Sequence, residues 1–303
     1  MIFSSEVPFS VKKGTPVIDY LTERFTYYQR NEWLRRLAEG RVTRNGAPVQ
    51  VSDTVMPREV ISYDAGEFEE PAADLNYRII YEDEWLLGID KPGNLLVHRS
   101  GRSFRNNLIY QIRFVHEPPC PDAHAIHRLD RETSGVICVA KNAMAQAVFG
   151  KMLAAGSIAK VYRAIVSGSP QPQEIALPIG KKDPSPRSCT FCVDPSGKPA
   201  ITRIIASEPM GNGMSLLTVE PLTGRTHQIR VHCAAIGAAI VGDKRYGMTD
   251  TEYQAWRADP EPSTFPINRH ALHCESLSFV HPYTKEPCRI VAPLPEDMRR
   301  IVE

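Results

Sequence analysis

The chain has 303 residues, of which 42% are hydrophobic and 23% are charged, and these values are typical of a globular protein and exclude disordered and collagen-like classes. This length is sufficient for two domains. A formal net charge of +1 excludes a basic field over the whole surface, so any nucleic-acid interface must be a local patch. The first residues, MIFSSEVPFSVKKG, lack the apolar core of a signal peptide, and no long apolar run follows. We therefore expect a cytoplasmic protein that does not enter a membrane.

Residues 15–63 are predicted to form a small unit in which two helices are followed by a hairpin. Apolar residues recur at helical spacing from Val17 onward, and a second helix through Trp33 is predicted to end at Gly40. Asn45-Gly46 predicts a tight turn between two short strands.

Arginines are concentrated in the same unit, and on a helix such residues usually form a solvated face. The order of two helices followed by EGRVTRNG also resembles the S-four-like RNA-binding module, named after a ribosomal protein. That resemblance implies a small N-terminal α/β domain that contacts RNA through Arg35, Arg36, Arg41 and Arg44. The solvated face and the RNA contact stay open as alternatives.

An acidic stretch, DAGEFEEPAAD at 64–74, contains alanine, glycine and proline and is typical of a linker. It separates the helical beginning of the chain from a region of short strands and turns that starts at Leu75. We therefore predict an RNA-binding domain at 1–66, a linker at 67–75 and a catalytic domain at 76–303.

The second region contains one strand and two helices with clear signals. In SGVICVAKN the run from Val136 to Ala140 is continuously apolar, which predicts a strand buried on both faces. The following NAMAQAVFGKMLAAG predicts a helix that Asn142 caps and Gly156 ends. THQIRVHCAAIG predicts another helix, which ends at Gly237.

The seven cysteines are scattered and odd in number, which favours free thiols in a reducing compartment. Cys189 and Cys192 have the C-x-x-C spacing of zinc ligands. A structural zinc site needs a second pair of ligands, and the other cysteines are isolated, so we prefer two thiols on a loop and predict no metal site.

The stretch AIHRLDRETSG places His127, Arg128, Asp130 and Arg131 immediately before the buried strand. Three interpretations compete. The residues can close a turn, because aspartate, threonine and serine suit turns and caps. His124, His127 and Asp130 have a spacing that superficially suits a metal, but the adjacent arginines would repel a cation. Alternatively, positive neighbours keep Asp130 ionised, and a fixed carboxylate can act as a nucleophile or a base.

The wider sequence favours catalysis. HRLDRETSGVICVAKN closely resembles the signature of the RluA-type pseudouridine synthases, and the resemblance covers residues 76–303. The chain departs from the family pattern at Gly93-Asn94, and the match cannot be followed across 170–192. Further stretches match in family order: YEDEWLLGIDKPGNLLVH (81–98), KVYRAIVSG (160–168), GKPAITR (197–203), LTGRTHQIRVH (222–232), VGDKRYG (241–247) and LHCESLSFVHPYTKEP (272–287).

This resemblance implies an α+β fold with a mixed, mostly antiparallel central sheet flanked by helices and loops. It also implies an isomerase that converts uridine in RNA to pseudouridine without a cofactor or metal. Asp130 would be the essential carboxylate and Tyr162 the active-site tyrosine. Arg128 would enter the space that the flipped nucleotide leaves.

Other assignments in the same domain remain open. Arg230 and Arg225 both lie near the start of a predicted helix, and we favour Arg230 as the partner of Asp130 because packing inside the helix would hold it rigidly. Arg225 is then expected to contact RNA. His127 could contact RNA or simply brace its loop.

Two other functions compete with the synthase. One is a catalytically inactive RNA-binding or ribosome-assembly protein on the same fold. The other is a nucleosidase, which would cleave the same bond without rejoining it. The RNA target would be ribosomal or transfer RNA, with a slight preference for ribosomal RNA, and nothing indicates more than a monomer.

Overall fold

The computed structural model describes residues 2–25, 28–66, 69–183, 190–259 and 266–303. The chain divides into two compact units, Met1–Pro71 with Ser100–Phe104, and Ala72–Arg99 with Arg105–Glu303. The first division falls inside the stretch 67–75 that the sequence marked as a linker. The assignment of Ser100–Phe104 to the first unit had no counterpart in the sequence pattern.

The first unit combines two helices with short strands. Its elements are β1 (Ile2–Glu6), β2 (Thr15–Pro16), α1 (Val17–Arg24), α2 (Arg30–Ala38), β3 (Val42–Arg44), β4 (Ala47–Pro48), β5 (Thr54–Val55) and β6 (Val60–Asp64). One sheet has the order β1-β6-β3-β4, and β2 pairs with β5. Every pairing in the described part of this unit is antiparallel, so α+β describes it more closely than the expected α/β.

The predicted helices and turn of this unit are present. Apolar residues on α1 and α2 pack into a core in which the rings of Trp33 and Tyr63 meet edge to face, 5.0 Å apart. Asn45 and Gly46 have φ of 51° and 86°, as the predicted two-residue turn between β3 and β4 requires.

The second unit carries the remaining elements. They are β7 (Arg78–Glu82), β8 (Leu86–Lys91), α3 (Leu108–Phe114), β9 (His124–Ala125), β10 (Ser134–Ala140), α4 (Ala143–Ala154), β11 (Ala159–Ser167), β12 (Gln173–Ile175), β13 (Ile179–Lys181), β14 (Phe191–Val193), β15 (Thr202–Pro209), β16 (Met214–Pro221), α5 (Gln228–Ala235), α6 (Asp250–Ala258), β17 (Leu272–Val280), β18 (Pro287–Val291) and α7 (Glu296–Val302).

A ten-stranded sheet organises this unit, in the order β12-β15-β16-β11-β17-β10-β8-β7, with β18 beside β17 and β9 beside β10. Within the described ranges all its pairings are antiparallel except that of β10 with β17. The sheet is therefore mixed and mostly antiparallel, as expected for the family.

The central strand β10 is buried at all seven positions, which confirms the prediction from its apolar run. At its start Gly135 has φ of +104°, and a Cβ there would lie 2.1 Å from the backbone oxygen of Cys274 on β17. Only glycine permits this approach. After the strand, the Asn142 side chain accepts a hydrogen bond from the Ala145 N–H (2.8 Å) and caps α4.

Cys192 lies on β14, whereas Cys189 falls outside the described residues, so the C-x-x-C pair has no structural description. Among the residues that are described, no three histidine, cysteine or acidic side chains are arranged to hold a metal ion. None of the helices within those same ranges combines the length and apolar character needed to cross a membrane.

Candidate active site

A cleft of about 720 Å³ opens in the second unit. Its walls come from the loop before β10, the end of α4, the start of β11 and the turn between β16 and α5. The sequence had singled out residues on three of these four segments. The cleft brings all six of those in the catalytic region together: His127, Arg128, Asp130, Tyr162, Arg225 and Arg230.

Hydrogen bonds to neighbouring segments hold the loop that carries Asp130. The Thr133 hydroxyl lies 2.7 Å from Nε2 of His270, and the Lys91 ammonium donates to the Arg131 carbonyl (3.2 Å). The Arg131 side chain in turn donates to the Asn94 amide oxygen (2.8 Å). Much of the charge in this stretch is therefore structural, as the turn interpretation proposed, and it fixes Asp130, whose carboxylate faces the cleft.

Arg230 links two carboxylates. Its Nη1 donates to Oδ2 of Asp130 (2.8 Å). Its Nε and Nη2 donate to Oδ2 and Oδ1 of Asp243, at 2.6 and 2.9 Å. The fork of the guanidinium is thus filled by Asp243, and the remaining nitrogen points at Asp130. Arg230 is the partner that the sequence favoured. Arg225 instead donates from Nε to the Pro199 carbonyl (2.9 Å).

The sequence did not identify Asp243 as a site residue. It lies in VGDKRYG, a stretch that matched the family pattern without an assigned task. Oδ1 of Asp243 also accepts the backbone N–H groups of Arg245 and Tyr246, at 3.1 and 3.2 Å. The loop after α5 therefore fixes Asp243, and Asp243 fixes Arg230. The signal that could have identified Asp243 was the presence of an aspartate in a motif that matches the family.

Asp130 is ionised at neutral pH. Burial by itself would raise the pKa of its carboxyl. In the acid range where Asp130 titrates, the positive charges of His227 and Arg230 outweigh burial and hold the pKa below its ordinary value. Burial also lowers the pKa of His227, to about 4. This histidine is neutral near pH 7, so the Arg230 guanidinium is then the counter-charge in contact with Asp130.

Tyr162 lies on β11 and is almost completely buried. Burial raises the pKa of its phenol well above the ordinary value, and the neighbouring Cys274 and Asp130 add to this effect. The hydroxyl therefore keeps its proton at neutral pH. A neutral ring in the cleft wall suits stacking against a planar base better than it suits proton abstraction.

His127 and Arg128 are adjacent in sequence but differ in burial and in the contacts that they make. The His127 Nε2 accepts the Cys138 N–H of β10 (3.1 Å), and burial lowers the pKa of this ring to about 3. Of the two roles considered for His127, bracing the loop is the one that this geometry supports. Arg128 is exposed at the cleft, where a guanidinium can reach RNA.

The four arginines of the first unit are not equivalent. Arg35, Arg41 and Arg44 are exposed or half-buried beside acidic residues. Arg36 is only 5% exposed: it pairs with Glu32 (3.1 Å) and lies over the Tyr28 ring, 4.1 Å from its centre. This burial argues against the expected contact of Arg36 with RNA, because its head group is engaged inside the unit.

Comparisons with known proteins identify the family of this chain. The family model described as RNA pseudouridylate synthase matches residues 86–235. A protein of Xanthomonas campestris pv. campestris named ribosomal large subunit pseudouridine synthase D is 33% identical, with 94% of this chain and 86% of that protein covered. An uncharacterized RNA pseudouridine synthase of Chlorobaculum parvum is 34% identical, with coverages of 96% and 95%.

Solved structures give the same result. Human RNA pseudouridylate synthase domain containing 1 is 28% identical and matches with a TM-score of 0.57, over 74% of this chain and 86% of that one. The family-model match at 86–235 contains the loop before β10, β11 and α5, which carry Asp130, Tyr162 and Arg230. The chain belongs to the RluA-type family of RNA pseudouridine synthases, which are isomerases.

Proposed function

We propose that this protein isomerises uridine in large-subunit ribosomal RNA to pseudouridine, with Asp130 as the essential residue. The observation that carries the proposal is the ionised Asp130 carboxylate, held by Arg230 at 2.8 Å in a cleft of about 720 Å³. Relatives named as ribosomal large subunit synthases, 33% identical over nearly the whole chain, support ribosomal RNA as the target.

The reaction is balanced without a co-reactant. The bond between N1 of uracil and C1′ of ribose breaks, the base rotates in place, and C5 bonds to C1′. The proton on C5 leaves, and N1 gains one. The protein must supply a nucleophile or base and a closed pocket. Asp130, fixed and ionised, is the group in the cleft suited to attack the sugar, to attack the ring or to remove the proton.

Tyr162 and Arg128 complete the proposal. A uridine must leave its stack to reach Asp130, at a cost of a few kcal/mol that is least where the base is already unpaired. The buried Tyr162 ring would stack on the extruded uracil, and the exposed Arg128 would occupy the vacated space. Arg225, which is exposed on the same cleft, would contact a phosphate.

Release of tritium from ribosomal RNA labelled at C5 of uridine tests this function. Wild-type protein should release tritium, and Asp130→Asn should release none while it keeps the wild-type affinity for RNA. Asp122→Asn, at an exposed position, is the control and should behave as wild type. Free uracil as a product would indicate a nucleosidase. RNA binding without tritium release would indicate an inactive RNA-binding protein.

We further propose that the first unit adds RNA affinity as an S-four-like module, with Arg35, Arg41 and Arg44 as its contacts. The exposure of Arg35 and Arg41 supports this role, and Arg44 is half-buried beside Glu59. The monomeric state and the cytoplasmic location stay predictions, and light scattering and cell fractionation would check them.

A further inference from the structure

The Tyr246 hydroxyl lies between the β14 hairpin and the start of α5. It accepts a hydrogen bond from the Phe191 N–H (3.0 Å), and it lies 2.8 Å from Nδ1 of His227. Burial raises the pKa of Tyr246 to about 12, so the hydroxyl carries a proton at neutral pH. Because its oxygen already serves Phe191 as an acceptor, the proton is directed to the other polar contact, Nδ1 of His227.

This contact decides where the neutral His227 ring carries its own proton. If Nδ1 accepts from Tyr246, the proton must be on Nε2. In the opposite tautomer, the Nδ1–H and the Phe191 N–H would both donate to one phenol oxygen. The phenol proton of the half-buried Tyr246 would then have no acceptor among the contacts of the described residues, which leaves a polar group unsatisfied.

Nε2 of His227 faces the reactive carboxylate. It lies 3.8 Å from Oδ2 of Asp130, the same oxygen that accepts from Arg230 at 2.8 Å. A distance of 3.8 Å is too long for a hydrogen bond, but an N–H dipole so directed still stabilises the oxygen electrostatically. Both of these contacts are made to Oδ2.

Two features hold the His227 ring in place. The residue has φ of 57° at the first position before α5, a backbone conformation that few non-glycine residues adopt. The Phe191 ring packs edge-on against the imidazole, with centroids 5.4 Å apart. A strained residue beside a catalytic carboxylate is typical of a functional constraint.

We propose that His227, held by Tyr246 and Phe191 as the tautomer protonated on Nε2, is a positioning residue that fixes Oδ2 of Asp130 together with Arg230 and so presents Oδ1 to the uridine. This inference deepens the proposed function and rests on it.

Nitrogen NMR of protein labelled in its histidine rings tests the tautomer without any RNA. The His227 signals are identified as those lost in His227→Asn, a variant that tolerates the left-handed backbone. At pH 7 the wild type should show Nδ1 without a proton and Nε2 with one. Tyr246→Phe should show a mixture of tautomers. A proton on Nδ1 in the wild type would overturn the inference, whatever the outcome of the activity assays.

Single-turnover tritium release tests the positioning role. His227→Asn removes the Nε2 donor and should lower the rate constant about 10-fold or more, while RNA affinity changes less than about twofold. His227→Gln places an N–H near the position of Nε2 and should recover part of the rate.

Tyr246→Phe should slow the wild type and have little further effect when combined with His227→Asn, because both changes act through the same ring. A His227→Asn protein with the wild-type rate constant, or fully additive effects of the two changes, would overturn the positioning role. Loss of all activity in wild type and variants alike would instead refute the proposed function, and the NMR result would still decide the tautomer.

Discussion

Asp243 provides the sharpest test of how the site is held together. Its Oδ1 accepts hydrogen bonds from Arg230, Arg245 and Tyr246, whereas the donor that the described residues offer to its Oδ2 is Nε of Arg230. In Asp243→Asn the amide oxygen will take the Oδ1 position, because the NH₂ group there would face three donors. The NH₂ group must then face the Arg230 Nε–H, so the 2.6 Å hydrogen bond is lost.

The magnitude follows from burial and charge. Asp243 is 1% exposed and Arg230 is 7% exposed, so water cannot replace the lost contact. A hydrogen bond to a charged group contributes about 1.5–3 kcal/mol, and an N–H left facing another donor adds a penalty. The variant leaves Arg230 with one carboxylate, Asp130, so no uncompensated charge remains. We expect the free energy of unfolding to fall by roughly 2–3 kcal/mol.

Activity should fall more steeply than stability. The guanidinium is no longer held on two sides, and Asp130 will move with it. A displacement of about 1 Å at a reacting group can cost about 100-fold in rate. Urea unfolding would measure the stability, and single-turnover tritium release the rate constant.

Leu86→Ala serves as the matched control. Leu86 is a fully buried residue on β8 outside the cleft lining, and its truncation should cost about 2–5 kcal/mol without slowing the reaction below the melting temperature. If Asp243→Asn is destabilised like Leu86→Ala but reacts at the wild-type rate, then Asp243 does not align Arg230 and our reasoning about the site is wrong.

Three further predictions concern pH, packing and RNA affinity. The pKa of Asp243 is lowered in the folded protein, so the contribution of its charge to stability is present above the unfolded pKa of about 3.9 and is lost as pH falls through the folded pKa. The difference in urea-unfolding free energy between wild type and Asp243→Asn should therefore shrink from pH 6 to pH 3, and a constant difference would contradict this prediction. Gly135→Ala should lower stability by about 3 kcal/mol or more because its Cβ meets the Cys274 backbone. Gly150→Ala, with open space around it on α4, should raise stability by about 0.5–1 kcal/mol, and thermal unfolding would measure both changes. Arg35→Ala should reduce the salt dependence of RNA binding by about one ion without loss of stability. Arg36→Ala, at a buried position, should lower stability and leave the salt dependence unchanged; equal effects on binding would refute the distinction.

Local patterns were sufficient for many elements of the fold. The apolar run of β10, the Asn142 cap and the Asn45-Gly46 turn depend on interactions within a few residues, and the structure shows all three. The resemblance of HRLD and the later motifs to one family likewise identified Asp130, Tyr162 and Arg230, which line one cleft.

Contacts between distant residues could not be predicted in this way. Asp130 and Arg230 are 100 positions apart, and only folding decided that Arg230, and not Arg225, would pair with the carboxylate. The same is true of Asp243 and of the contact between Tyr246 and His227.

The sequence alone thus determined which kinds of side chain are available and where helices and strands begin, because spacing and capping are local properties. Tertiary structure decided which charges are buried and which remain available to a substrate. Arg35 and Arg36 are neighbours of the same type, yet Arg36 lies over the Tyr28 ring whereas Arg35 faces solvent. The ionisation and orientation of a charged group depend on what surrounds it in three dimensions, and no linear pattern of residue types contains that information.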